Sequence, residues 1–288
     1  MGHNKKSKKE SSFAGVMKRL RRNKLAMIGL AVIILMVLAA VFADVIAPYS
    51  YTQQDLKNTF STPGGIHLCG TDKVGRDIFS RLIYGARESL KIGFLSVLMA
   101  AFFGIIMGAV AGYYGGVVDN LLMRLLDIYQ SIPSILLTMV LASALGASGR
   151  NTIIALGITT IPIYARILRS QFMVCRDQEY VEAAIATNAN DFEIIFKHIL
   201  PNAISPLIVQ ITMSLGQSIL AAATLSFLGL GVQPPSPEWG AMVSDGRNYL
   251  RNYPYLALFP GMCIMITVLS FNLLGDGLRD ALDPKLKN

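Results

Sequence analysis

The side chains able to do chemistry are few and far apart. His3, His67 and His198 are the three histidines, and Cys69, Cys175 and Cys263 the three cysteines. His67, Cys69 and Asp72 stand close enough together to suggest a metal site. A fourth ligand and a second pair are missing, so an ordinary loop is the better reading. No Gly-x-x-x-x-Gly-Lys-Ser/Thr phosphate loop, no His-Glu-x-x-His and no Gly-x-Ser-x-Gly occurs. Those absences argue against ATP hydrolysis, zinc proteolysis and serine-hydrolase chemistry by this chain. The expectation is a non-catalytic protein with no metal or cofactor of its own. What remains is polar punctuation in an apolar chain: the segment 182–201, and the uncharged polar residues Gln210, Thr212, Ser214, Gln217, Ser218, Thr224 and Ser226.

The segment 182–201 reads as helix, turn and second helix. Glu182, Ala183 and Ala184 open a run of good helix formers. Asn188 to Asp191 is turn and capping material, and Asp191 with Glu193 suits a helix start. Phe192, Ile195, Phe196 and Ile199 then recur at helical spacing, with Glu193 and Lys197 off that face. Pro201 marks either the end of this helix or the first turn of the next.

The elements that hold this segment are hydrophobic spans. The 288 residues are 53% hydrophobic and 15% charged, against about 25% charged in soluble domains. Stretches free of Asp, Glu, Lys, Arg and His cover 25–43, 92–118, 128–149, 151–165 (extendable to about 170), 199–237 and 252–275. A helix crosses a bilayer in about 20 residues, so the expectation is an all-α integral membrane protein with six transmembrane helices. Pro133 and Pro162 interrupt the third and fourth, and need neighbouring helices to satisfy the freed backbone. Gly104, Gly108 and Gly112 in the second make a small-xxx-small face for close packing. The fifth span's polar residues either line a pathway, with Thr212, Ser214, Gln217 and Ser218 the candidates, or hydrogen-bond between helices.

Charge sets the orientation. Residues 1–24 hold nine Lys/Arg against the single acid Glu10. Immediately before a span this is a positive-inside anchor rather than a nucleic-acid tail, which would need a reader motif. The first apolar run is too long for a signal peptide and reads as an uncleaved anchor. Six spans then put both termini in the cytoplasm and place 182–201 there too. Cys69, Cys175 and Cys263 fall outside, inside and within the sixth span, so no disulfide framework is expected. Outside, Asp72 and Asp77 are capping candidates. Phe79, Leu82, Ile83 and Ala86 form an apolar stripe against Arg76, Arg81 and Arg87, as in a helix lying on the membrane surface. Trp239, the only tryptophan, suits the outer interface belt.

Four strings now point one way: Glu182-Ala183-Ala184 with Ile199-Leu200-Pro201; Gly70-Thr-Asp-Lys-Val-Gly-Arg-Asp77; Ser226-Phe-Leu-Gly-Leu-Gly-Val-Gln-Pro-Pro-Ser-Pro-Glu-Trp-Gly240; and Gly275-Asp-Gly-Leu-Arg-Asp-Ala-Leu-Asp-Pro284. Together they resemble the permease subunits of ABC importers, in the oligopeptide/dipeptide/nickel branch, and within it the second (C-type) of two paired membrane subunits. Asn188 stands where the family has Gly; both residues take a left-handed backbone readily. The resemblance implies a type I importer bundle in the cell membrane and a pathway shared with a homologous permease. It also implies two ATP-binding subunits that hold the ATP and Mg, and an extracytoplasmic substrate-binding protein. Glu182, Ala183, Ala184, Asn188, Ile199 and Pro201 would form the ATPase-coupling loop. The implied layout is a basic tail at 1–24, an anchor helix at 25–47, an external loop with a surface helix at 48–89, a permease core at 90–275 containing the coupling loop 171–201, and a C-terminal tail at 276–288. Peptides are the first substrate choice and nickel or a metal chelate the alternative. The reading from another class is a membrane scaffold or integral membrane enzyme.

Overall fold

A computed structural model describes residues 13–282. Most of the basic tail, with His3, and the end of the C-terminal tail lie outside the described residues. No strand occurs among the described residues. Thirteen α-helices follow one another: α1 (Phe13–Leu20), α2 (Lys24–Val41), α3 (Ala43–Ile46), α4 (Ile78–Tyr114), α5 (Gly116–Gln130), α6 (Ser134–Leu145), α7 (Gly149–Arg176), α8 (Glu179–Ala186), α9 (Asp191–Glu193), α10 (Leu200–Ala203), α11 (Ser205–Phe227), α12 (Trp239–Gly246) and α13 (Tyr255–Leu282). Five of them, α2, α4, α7, α11 and α13, are long and apolar enough to cross a membrane. The pair α5–α6 is the sixth candidate, bent by 83°.

That bend is the form taken by the interruption expected at Pro133, and it moves the start of the third span from 128 back to α5. Pro133 lacks an N–H and disfavours helical backbone at the residue before it, so α5 stops at Gln130 and α6 restarts at Ser134. The 12 residues of α6 cover only about 18 Å, too little for a bilayer without α5. The reverse holds at α4. Its 37 residues run without a break, so the expected surface helix and second span are one rod, and the boundary drawn at residue 89 falls inside it.

Packing centres on α4 against α7. A Cβ added at Gly108 would sit 2.5 Å from the Ala165 carbonyl oxygen, and one at Gly112 would sit 2.5 Å from Cβ of Phe172. With no side chain there, the backbones meet and bury Tyr164, Leu168 and Phe172 in the largest core cluster. Helix α7 contains Pro162 yet continues past it, and Pro162 is buried within the bundle. Helices α11 and α13 pack beside this pair, and α2 lies on α13 with much of its surface open, including Ile28, Leu35 and Leu38. Apolar on nearly all sides, α2 is a segment solvated by lipid.

A folded cap covers the first turns of α4. Asp77 caps that helix, accepting from the Ser80 N–H at 2.7 Å and from the His67 ring at 2.9 Å. Asp72 accepts from Arg76 Nε at 2.6 Å, and Arg81 donates to the Tyr51 carbonyl at 3.1 Å. Arg76 and Arg81 are therefore buried under the cap, not spread on a polar surface as their spacing suggested. Trp239 is also displaced from expectation. It is 1% exposed, its Nε1 donates to the Leu82 carbonyl at 3.0 Å, and its ring fills the slot that Gly85 leaves. An indole with a buried acceptor has no need of the membrane interface.

Replacing Gly108 by Leu should overpack the α4–α7 contact and cost at least about 1–3 kcal/mol, read as a lowered melting temperature of the protein in detergent. Gly261→Ala, where an added Cβ meets nothing within 4 Å, should leave melting near wild type.

Candidate functional site

Between α7 and α11 the chain leaves the bundle and returns at the end where α4 stops. Helix α7 runs on to Arg176, so the loop itself begins at Asp177, inside the 171–201 bounds read from the sequence. Glu179 and Glu182 in the first turn of α8 complement its N-terminal dipole. The helix closes with two bonds: the Asn188 N–H donates to the Ile185 carbonyl at 2.9 Å and the Ala189 N–H to the Ala184 carbonyl at 3.1 Å. This is a Schellman closure, which needs a left-handed residue after the C-cap. Asn188 supplies it with φ of +62°. Asn190 then caps the next turn, accepting from the Glu193 N–H at 2.8 Å.

The second half is not a simple α-helix. Ile194–Ile199 is a π-turn between α9 and α10. The wider turn brings Ile194 and Ile199, five apart, onto one inward face; both are buried. Phe192 and Phe196, read from spacing as sharing one apolar face with Ile195 and Ile199, do lie together with ring centroids 4.4 Å apart, but that face is exposed while Ile199 is buried with Ile194. Pro201 sits in the first turn of α10, where a missing N–H costs little.

The six expected loop residues divide between two faces. Ala184 and Ile199 point inward with Val181 and Ile194, packing against Phe172 and Cys175 in the same cluster as the α4–α7 contact. Glu182, Ala183, Asn188 and Pro201 are exposed. Among the described residues the Glu182 carboxylate has no ion pair and no hydrogen bond, whereas Glu193 is held by Lys197 Nζ at 2.7 Å, which lowers its carboxyl pKa below the usual range. A rigid, inward-packed platform thus presents two exposed carboxylates, Glu179 and Glu182, with no partner among the described residues, on the same short helix as the exposed Ala183 and Ile185.

Contacts that no local pattern announced fix the platform's surroundings. Arg169 on α7 forms a two-pronged ion pair with Asp119 on α5, and Arg166 reaches Asp127 at 2.6 Å. Arg176 donates to the Tyr113 carbonyl at 3.0 Å, and Asp191 accepts from the hydroxyls of Tyr113 and Tyr114. The partners lie 39 to 78 residues apart, so only the fold brings them together.

The fifth-span candidates mostly serve the fold. Ser218 shares a hydrogen bond of 2.6 Å with Ser96 across to α4. Ser214 is buried and accepts from Gln210 at 3.1 Å, and Thr212 donates to the Ile208 carbonyl of its own helix. Gln217 alone is exposed, with no side-chain hydrogen bond among the described residues. His67, Cys69 and Asp72 do not converge: His67 and Asp72 take the partners given above, and no group of three metal-capable side chains occurs among the described residues.

Comparison with known proteins follows this geometry. Residues 102–288 match the model for the binding-protein-dependent transport system inner membrane component, and residues 11–63 that for the N-terminal TM domain of oligopeptide transport permease C. The chain is 48% identical over 271 residues to the dipeptide transport system permease protein of Alkalihalophilus pseudofirmus, covering 94% of this chain and 89% of that one. It is 43% identical to the glutathione transport system permease protein of Pectobacterium atrosepticum, covering 94% and 90%. Among solved structures, an inward-facing form of the MetNI methionine ABC transporter aligns with a TM-score of 0.56 at 20% identity, covering 70% of this chain and 96% of that one, which is a likeness of fold.

The left-handed turn makes a sharp forecast. Asn188→Gly should be tolerated, whereas Asn188→Val should cost about 1–3 kcal/mol and open the loop to protease. Limited proteolysis of the two variants beside wild type, with cleavage mapped to 186–191, reads the difference.

Proposed function

Because the chain belongs to the family of binding-protein-dependent transport system inner membrane components, we propose that it is the non-catalytic permease subunit of an ATP-driven importer of short peptides. The dipeptide and glutathione transport named for its relatives supports that substrate class. It pairs with a homologous permease to enclose one pathway. Two ATPase subunits, which bind the ATP and Mg, dock from the cytoplasm, and a substrate-binding protein docks on the opposite face. Both termini and the 177–204 loop are cytoplasmic, following the positive-inside rule.

The observation that carries this reading is the exposed, unpartnered Glu182 on a helix locked to two spanning helices. Val181 and Ala184 anchor α8 inward, so a push on its outer face moves the core rather than the loop alone. Helix α8 lies in a groove of the ATPase, with Glu182 making a charged or helix-end contact and Ala183 allowing close approach. Asn188 turns the chain, and the buried Ile199 with the Pro201 turn carry displacement into α11. Closure of the ATPase pair on ATP rotates the bundle toward an outward-open state as a rigid body. In the pathway, Gln217 is the polar side chain on α11 free to meet a passing solute.

Tagged chain co-expressed with the ATPases, partner permease and binding protein encoded beside it should purify with the ATPases attached. Glu182→Lys should insert and fold normally but lose most of the bound ATPase or uncouple its turnover from transport. Wild-type transport by that variant, or no ATPase with the wild-type chain, would sink the docking assignment.

A further inference from the structure

The loop is tied to more than the two helices that continue it. Both of its feet grip the end of α4. At the first foot, Arg176, the last residue of α7, donates to the Tyr113 carbonyl at 3.0 Å. At the second, Asp191, the first residue of α9, accepts from the Tyr113 hydroxyl at 2.9 Å and the Tyr114 hydroxyl at 3.1 Å. Tyr113 and Tyr114 are the last two residues of α4. The next two, Gly115 and Gly116, both have positive φ, +64° and +54°, and turn the chain into α5. Two such residues in succession are open to glycine at little steric cost and make a corner that can swivel. Helix α5 is in turn paired to α7 through Asp119–Arg169 and Asp127–Arg166.

We infer that Asp191 and the Tyr113–Tyr114 pair form a latch that carries displacement of the loop into the α4–α5 corner, a second route besides the covalent one through α11. This rests on the docking reading above, since it concerns what the docked loop moves. Asp191 is a positioning residue here: it touches neither ATP nor solute. Its two hydrogen bonds are suited to a reversible grip. Hydrogen bonds from two hydroxyls to one carboxylate are charge-assisted and directional, yet both are open to solvent, so water replaces them when the loop shifts. A buried clamp would hold one state only. Each foot also acts on Tyr113 from a different side, backbone and hydroxyl, so a tilt of the loop turns the end of α4 instead of sliding past it.

The test uses the whole complex in proteoliposomes with its binding protein and a transported dipeptide. The variants are Asp191→Asn, the double Tyr113→Phe/Tyr114→Phe, and the triple. Two quantities are read: ATPase retained through purification, and the ratio of ATP turnover with and without loaded binding protein. Retention should match wild type in every variant, because the docking face on α8 is untouched. The ratio should fall about threefold or more in Asp191→Asn and in the double, the low end for lost hydrogen bonds because both are open to solvent. The triple should fall no further than the double, since all three side chains serve one contact. A wild-type ratio in the variants with ATPase still bound overturns the latch and leaves the docking reading intact. Multiplicative losses in the triple, or loss of ATPase from the variants, also overturn it, by showing independent or merely structural roles. Absence of ATPase from the wild-type complex removes the docking reading and the latch with it.

Discussion

The close approach of α4 and α7 is the constraint on which the other contacts depend. Three glycines on one face of α4 bring the two backbones together where any side chain would collide. In lipid there is no hydrophobic drive for helices to associate, so this contact area is what a well-packed pair gains instead. Once the pair is set, Tyr164, Leu168 and Phe172 are buried, and the same α7 face provides the floor for Val181, Ala184, Ile194 and Ile199 of the loop. The loop platform is thus an extension of the membrane core. Its shape follows from glycine spacing some 70 residues earlier in the chain.

Polar side chains are used differently at the two ends. At the cap, Asp72, Asp77, Arg76, Arg81 and Glu238 are consumed in internal contacts: Glu238 is fully buried, accepting from Ser89 and from the Ala241 N–H. At the loop, Glu179 and Glu182 are left over, with no partner among the described residues. Burying a polar group requires a partner, and the cap meets that requirement residue by residue. Unpartnered carboxylates on the same short helix as the exposed Ile185 are what the proposed docking on the ATPase would use.

Much of this was legible in the sequence because it is periodic or local. Span positions follow from runs without charge, the packing role of Gly104, Gly108 and Gly112 from their spacing, and the turn at Asn188 from the backbone freedom of asparagine. What escaped is what periodicity cannot carry. The π-turn at Ile194–Ile199 changes the repeat from 3.6 residues, so α-helical counting grouped Ile199 with Phe192 and Phe196, whereas it is buried with Ile194 and the two phenylalanines are exposed. Pro133 was visible as an interruption, but the 83° angle was not. Arg81 was assigned to a surface by its spacing and Trp239 by its residue type, and a tertiary cap with partners ready for both overrode those readings. The grip of Asp191 on Tyr113 and Tyr114 joins residues with no shared local pattern. Among the fifth-span polar residues, composition could not separate Ser218, paired with Ser96, from Gln217, which has no partner.

The unbroken length of α4 gives the molecule a property none of its parts has alone. About 55 Å of continuous helix has the folded cap built on one end and the tyrosine pair at the other, with no proline or loop between them to absorb strain. Its first turns are fixed by Trp239, Arg81 and Asp77, so whatever leans on the cap leans on the helix. A partner that preferred one tilt of that helix at the cap would be felt at the far end, and the relation would run both ways with equal free energy. For such a partner, occupancy on one face of the membrane would be a thermodynamic variable on the other, without any diffusible messenger between them.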